Sequence, residues 1–186
     1  RFFFPDNMVL SFVGNVPKNK VLKILNKYFG EIKINRTLIK PVLFNEKSSF
    51  NVALDESNYQ AHILLGGLAQ GIEDPRRRTM TLLINILGGP ALNSKLTLSI
   101  REKYGYAYNI EANYSPYNEV GFWSIYAGTD PKYVKKTIRL IHKELNLFCQ
   151  KRMTESQLNK AKIQLKGHLA LGMDSNAGLM LNFCKS

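Results

Sequence analysis

Apolar residues recur along this chain with two different periods, and the places where one gives way to the other mark out its elements. Met8 to Val13 form a short apolar run closed by Gly14-Asn15, which predicts a buried strand. Pro17 suits the first turn of a helix. Val21, Leu22, Leu25, Tyr28 and Phe29 follow at three- and four-residue spacing, and Gly30 is a fitting stop. From about Glu31 to Lys47 the periodicity disappears around Pro41, so 31–47 reads as a linker.

Alternation returns at Ser49–Leu54 and Gln60–Leu65, two expected strands around the turn-prone Asp55-Glu56-Ser57-Asn58. Asp74 before Pro75 reads as a helix cap and first turn. That helix is predicted to reach Leu87 and stop at Gly88-Gly89, with a shorter helix over Leu92–Lys103. Tyr106, Tyr108, Ile110, Ala112 and Tyr114 alternate at period two, and Val120–Ala127 is again β-rich. Together they predict a hairpin with a four- or five-residue connection, with Tyr106 and Tyr108 on one face. Asp130-Pro131 opens a helix whose Val134, Ile138, Ile141, Leu145 and Phe148 make one apolar stripe. Thr154 and Gln157 form a capping box for a last helix with Leu158, Ala161, Leu165 and Leu169 on its buried face.

Strands, helices, a hairpin and more helices, in that order, predict an α+β fold: a two-layer sandwich of a mainly antiparallel sheet with helices packed on one face. A chain of 186 residues is one domain, or one domain and part of another. Its apolar share, 45%, excludes disorder, and its longest apolar runs fall far short of the roughly 20 residues that span a bilayer. It opens Arg1-Phe2-Phe3-Phe4-Pro5 with no Met, so we expect a piece of something longer. Targeting information upstream of Arg1 is out of view, which leaves a soluble cytoplasmic or periplasmic setting open.

Lys and Arg number 26 against 14 Asp and Glu, a net charge of +12. Such a field favours anionic substrates or an acidic neighbour. Nucleic acid is not expected, because the basic residues are scattered, with no exposed aromatics seen between them and no reading motif. Cys149 and Cys184 are too few for a disulfide framework and read as reduced core thiols, Cys184 the nearer to the surface.

The familiar catalytic patterns are missing. His62, His142 and His168 make no H-x-x-E-H or its inverse. His142-Lys143-Glu144 lacks the P-C-x-x-C partner of a deaminase. No G-x-S-x-G occurs, and Gly66-Gly67 and Gly88-Gly89 have no phosphate-loop spacing.

One dense stretch remains. Leu87-Gly88-Gly89, Ser94-Lys95-Leu96 and Ile100-Arg101-Glu102-Lys103-Tyr104-Gly105-Tyr106-Ala107-Tyr108 resemble the C-terminal half of zinc metallopeptidases of the pitrilysin/insulinase family, M16. Tyr126-Ala127-Gly128-Thr129 and Met153-Thr154-Glu155-Ser156-Gln157-Leu158 extend the likeness in order. Upstream, Pro5–Leu10, Val13–Val16 and Lys27–Gly30 look like the closing strand and helix of a preceding module. Lys95 stands where the family often has Arg, and Pro90 and Leu92 replace small residues.

This resemblance implies a LuxS/MPP-like metallohydrolase module over 48–186, after the last strand and helix (1–30) of another and the linker 31–47. It implies zinc in the complete enzyme but none bound by this chain. An H-x-x-E-H module would act with it, in cis or as a partner subunit in trans, on peptide substrates, and a dimer fits the family. It implies that Tyr108 donates to the scissile carbonyl oxygen and that Arg101, seven positions earlier, binds substrate backbone, with Gly88, Gly89 and Ser94 as substrate-loop candidates. A tyrosine hydroxyl, with a reference pKa of about 10, is a neutral donor suited to an oxyanion, and arginine offers a charged fork of donors. The chain alone is expected to be inactive. The alternative is a catalytically inactive M16-like scaffold or interaction subunit.

Overall fold

A computed structural model describes residues 8–32, 48–55 and 58–185. The described residues fall into two compact units, one from 8–32 and 166–185 and the other from 48–165. The first contains helix α1 (Lys18–Phe29), whose bounds match the predicted Pro17 start and Gly30 stop. Of its apolar stripe, Leu22, Tyr28 and Phe29 are exposed and Val21 and Leu25 half-buried.

The second unit is built on strands β1 (Ala61–Ala69), β2 (Ala107–Pro116) and β3 (Gly121–Thr129). They form an antiparallel sheet in the order β1-β3-β2. β3 is central, pairing Ala61 with Thr129 on one side and Pro116 with Gly121 on the other. One residue parity in each strand is buried: Ile63 on β1, Ile110 and Ala112 on β2, and Ile125 and Ala127 on β3. Helix α2 (Arg77–Gly88) brings Ile84 and Leu87 to that core, and helix α3 (Val134–Gln150) brings Ile141. Leu96 and Ile100, without exposed surface, complete it. Each large side chain buried this way contributes about 1.5–3 kcal/mol. The other face of the sheet stays open, with Leu64, Leu68 and Phe122 exposed. The expected α+β architecture of an antiparallel sheet with packed helices is what forms.

Local chemistry explains the joints. The Tyr114 hydroxyl donates to the Gln70 carbonyl at 2.6 Å, tying β2 to the end of β1. Asp130 accepts from the Lys132 backbone N–H at 3.1 Å, capping the 3-10 turn Pro131–Tyr133 that opens α3. The capping box of α4 (Glu155–Met173) forms as read. The Thr154 N–H donates to Gln157 Oε1 at 3.0 Å, and the Gln157 N–H to Thr154 Oγ1 at 3.3 Å. Helix α5 (Asn176–Lys185) follows. No helix among the described residues is long and apolar enough to cross a membrane.

Several expectations need correcting. Residues 8–13 and 49–54 form no strand, and Val9, Phe50, Val52 and Leu54 are exposed. A strand needs a ladder partner, and neither segment has one among the described residues. β1 instead pairs with β3, far away in sequence. Asp74 accepts from the Arg76 N–H at 2.8 Å, as a cap would, but the regular helix begins only at Arg77. Cys149 is exposed, because it lies off the apolar stripe of α3, whereas Cys184, expected nearer to the surface, is half-buried; Leu169 of α4 is exposed as well. The linker beyond Ile32 and the turn residues Glu56 and Ser57 lie outside the described residues.

Candidate functional site

The dense stretch singled out in the sequence folds as helix, turn and strand. After Gly88-Gly89 the chain turns at Ala91–Asn93, and the next helix begins at Lys95, not Leu92. From Thr97 to Glu102 it widens into a π-helix, in which the Lys103 N–H donates to the Leu98 carbonyl at 3.1 Å. Such insertions are rare and occur frequently at functional sites. Gly105, at φ +63°, ends it in the left-handed conformation that favours glycine. Its N–H donates to Arg101 O at 2.9 Å, and that of Tyr106 to Ile100 O at 3.2 Å.

The strand that follows does not keep simple alternation. Ala107 pairs with Thr129 and Asn109 with Gly128, so Tyr108 is an extra residue in a β-bulge. Strict alternation would place Tyr108 on the buried face with Ile110 and Ala112. The bulge leaves Ala107 buried and Tyr108 63% exposed. It also separates Tyr108 from Tyr106, which is half-buried with its ring stacked on Tyr104 and Tyr133. Thr129 Oγ1, fully buried at the end of β3, donates to the Tyr106 carbonyl and anchors the base of the bulge.

Arg101 projects from the π-helix with its side chain 46% exposed, and among the described residues its ion-pair contact is a long one, 3.8 Å, to neighbouring Glu102. Among the described residues no hydrogen bond joins it to Tyr108. Each is presented to solvent by its own element, and the Gly105 turn links the two. The glycine loop is more enclosed. Gly88 is buried, and a Cβ there would lie 2.6 Å from the Ala112 nitrogen; the missing side chain lets α2 approach β2. Ser94 is buried too, its hydroxyl 2.8 Å from that of Thr97, and a Cβ at Gly89 would meet the Asn85 backbone.

Two features escaped the sequence reading. On the open sheet face, His62 Nδ1 lies 2.8 Å from the Tyr126 hydroxyl, with the rings stacked. His62 and Tyr126 share the exposed parity of their strands, which is the signal that could have paired them. Beside the bulge, basic and aromatic side chains do interleave, contrary to expectation. Lys103, Lys132 and Lys136 sit over the rings of Tyr104, Tyr106 and Tyr133. Their sequence signal was the adjacent Lys-Tyr pairs 103–104 and 132–133. The Lys132 ammonium is pushed above its ordinary pKa, first by its hydrogen bond to Asp130 and then by that carboxylate's charge.

The donor set does not fit zinc: among the described residues no group of three or more His, Cys, Asp or Glu could hold a metal ion. His62 is engaged with Tyr126, and His142 lies exposed on α3.

Comparison with known proteins completes the picture. Residues 1–165 match the family described as "Peptidase M16 inactive domain". The chain is 31% identical over 184 residues to "Uncharacterized zinc protease YmxG" of Bacillus subtilis strain 168, a match covering 96% of this chain and 43% of that one. It thus spans less than half the length of that relative. The crystal structure of a peptidase M16 inactive domain from Pseudomonas fluorescens superposes with a TM-score of 0.60 at 25% identity, over 68% of this chain and 30% of that one. A protease from Helicobacter pylori shares the fold with a TM-score of 0.78 at 18% identity, over 93% of this chain and 43% of that one.

Proposed function

The chain belongs to the peptidase M16 family as its C-terminal domain, and from that premise we propose that it is the substrate-binding, zinc-free portion of a zinc-dependent peptidase. Its zinc ligands would lie in an H-x-x-E-H module, supplied by the same polypeptide or by a partner subunit. The chain's own contribution is to bind and orient a peptide and to stabilise charge on it.

As a peptide bond is attacked, negative charge gathers on the carbonyl oxygen. Tyr108 donates its hydroxyl proton in a hydrogen bond to that oxygen, and the Arg101 guanidinium donates to neighbouring peptide carbonyls. The observation that carries this reading is the bulge, which turns Tyr108 out of the core and leaves its hydroxyl free to meet a ligand. Arg101 supports it: its side chain is half-exposed, and 3.8 Å to the Glu102 carboxylate is too long for a hydrogen bond, which keeps its donors available. Plain packing would have buried Tyr108 beside Ile110. Gly88, Gly89 and Ser94 then act from beneath, holding the helix and strand ends that carry the two side chains.

The test is peptide hydrolysis by the chain joined to, or mixed with, an H-x-x-E-H module of its own source. Hydrolysis is expected from the assembly and not from the chain alone, and Tyr108→Phe should lower its turnover about 10²–10³-fold. Full activity of the Tyr108→Phe assembly would remove the assigned role. The description "inactive domain" also fits a scaffold subunit with no part in hydrolysis. That second reading is favoured if neither the parent polypeptide nor any partner carries H-x-x-E-H.

A further inference from the structure

Tyr104, Tyr106 and Tyr133 form a continuous ladder of rings. Centroids are 5.4 Å apart for Tyr104 and Tyr106 and 4.5 Å for Tyr106 and Tyr133, with interplanar angles of 21° and 24°. Three ammonium groups lie along it. Lys103 is 5.4 Å from the Tyr104 centroid and Lys132 is 5.0 Å from that of Tyr133. Lys136 bridges two rings, at 5.5 Å from Tyr106 and 5.7 Å from Tyr133.

Lys132 is neutralised by Asp130 at 3.1 Å, but Lys103 and Lys136 make no ion pair among the described residues. A ring face holds an ammonium in place without cancelling its charge. A lysine fixed this way has already lost much of the freedom that binding an anion would otherwise cost it. The ladder thus presents two positioned, uncompensated positive charges. Its location follows from the chain: Tyr106 is two residues before Tyr108, and Thr129 at the end of β3 ties down the Tyr106 carbonyl at the base of the bulge.

We propose that this ladder is a subsite for a carboxylate of the bound peptide, with Lys136 as its principal ligand and Lys103 as its second. The proposal rests on the peptide-binding reading above and names its substrate class: peptides with an acidic side chain, or a free C-terminus, a short distance from the bond held at Tyr108. The same surface suits single-stranded nucleic acid less well. Base stacking needs an open ring face, and the Tyr106 ring already stacks with Tyr104 and Tyr133 and carries the Lys136 ammonium.

Binding to the full 186-residue chain, followed by isothermal titration calorimetry, tests this without any hydrolysis. Three peptides of one length are compared: a capped peptide with two glutamates, its capped glutamine counterpart, and the glutamine peptide with a free C-terminal carboxylate. At least one carboxylate-bearing peptide should bind five-fold or more tighter than the capped neutral one, and which one does so identifies the source of the carboxylate. Lys136→Gln should abolish the difference. The double change Lys160→Gln and Lys162→Gln, which removes more charge from exposed sites on α4, should leave it within two-fold. Equal binding of all three peptides overturns the proposal. So does an equal loss in both lysine variants, because the general field of a +12 chain would then explain the preference. Tighter binding of oligothymidylate than of either acidic peptide, lost in Lys136→Gln, makes the surface a nucleic-acid groove and also overturns it. A peptidase that hydrolyses normally with Tyr108→Phe would sink the oxyanion role while leaving the carboxylate preference standing.

Discussion

The Gly105 amide donates to the Arg101 carbonyl at 2.9 Å, so one left-handed residue both closes the π-helix and starts the strand that carries Tyr108. A Cβ at Gly105 would meet nothing within 4 Å. Gly105→Ala therefore adds no clash, and its cost is the left-handed backbone itself, about 1–2 kcal/mol. Thermal unfolding should fall by about 2–4 °C for each kcal/mol. Gly105→Asn should be the milder change, since Asn visits that conformation more readily. Equal melting of Gly105→Ala and the parent would show that the turn is not held as described.

Tyr108→Phe separates the chemical reading from the structural one. The ring is 63% exposed and its hydroxyl has no partner among the described residues, so melting should move by less than about 0.5 kcal/mol. Turnover of the assembled peptidase should drop by orders of magnitude. Parallel losses in melting and turnover would instead mark a packing role.

The fold was legible wherever local periodicity and capping chemistry act within one segment. The Thr154–Gln157 box, the apolar stripe of α3 and the hairpin Ala107–Thr129 all follow from residues close together in sequence. Illegible were features decided by distant partners. Phe50, Val52 and Leu54 alternate as a strand should, yet alternation cannot supply a ladder partner. The bulge was hidden for a related reason. Tyr106, Tyr108, Ile110, Ala112 and Tyr114 keep a perfect period of two, and only the register against Thr129 and Gly128 shows an extra residue at Tyr108. The site residues themselves came from the likeness of an ordered set of motifs, and their exposure came from the structure.

Gly88 gives a test of the layer that supports the site. A Cβ there would lie 2.6 Å from the Ala112 nitrogen and 2.7 Å from its Cβ, atoms of a paired strand that cannot swing aside. Gly88→Ala would have to push α2 away from β2, and overpacking of this kind costs about 1–3 kcal/mol. Chemical denaturation should register that loss despite the higher helix propensity of Ala. A neutral or stabilising effect would mean that helix and strand pack less closely than this. Ala112→Gly, which removes the opposing methyl but not the opposing nitrogen, should restore only part of the loss.

Acid should loosen the start of α3. Asp130 accepts from the Lys132 N–H at 3.1 Å and pairs with its ammonium at 3.1 Å. The backbone hydrogen bond first, and the side-chain bond second, hold its carboxyl below the ordinary 3.8. A carboxyl whose folded value lies below its unfolded one contributes stability that is complete above the unfolded value. That stability is lost as pH falls through the folded value. The Lys132 ammonium is raised by the same pair, so its share is present below its ordinary 10.5 and lost only as pH rises past its folded value. Between these limits the pair should make stability flat with pH. The pair lies at the surface, with the Lys132 side chain 64% exposed and that of Asp130 31%, so solvent screens it, the effect is small and it is best read as a slope. Denaturation midpoints taken from pH 5 down to pH 2.5 should fall less steeply in Asp130→Asn, which keeps an acceptor for the cap and loses the titrating charge. NMR titration of the Asp130 carboxyl should give a midpoint below 3.8. A midpoint at or above that value would mean that the cap and ion pair do not form in solution, and Lys132 would then be as free as Lys136 to meet an incoming carboxylate.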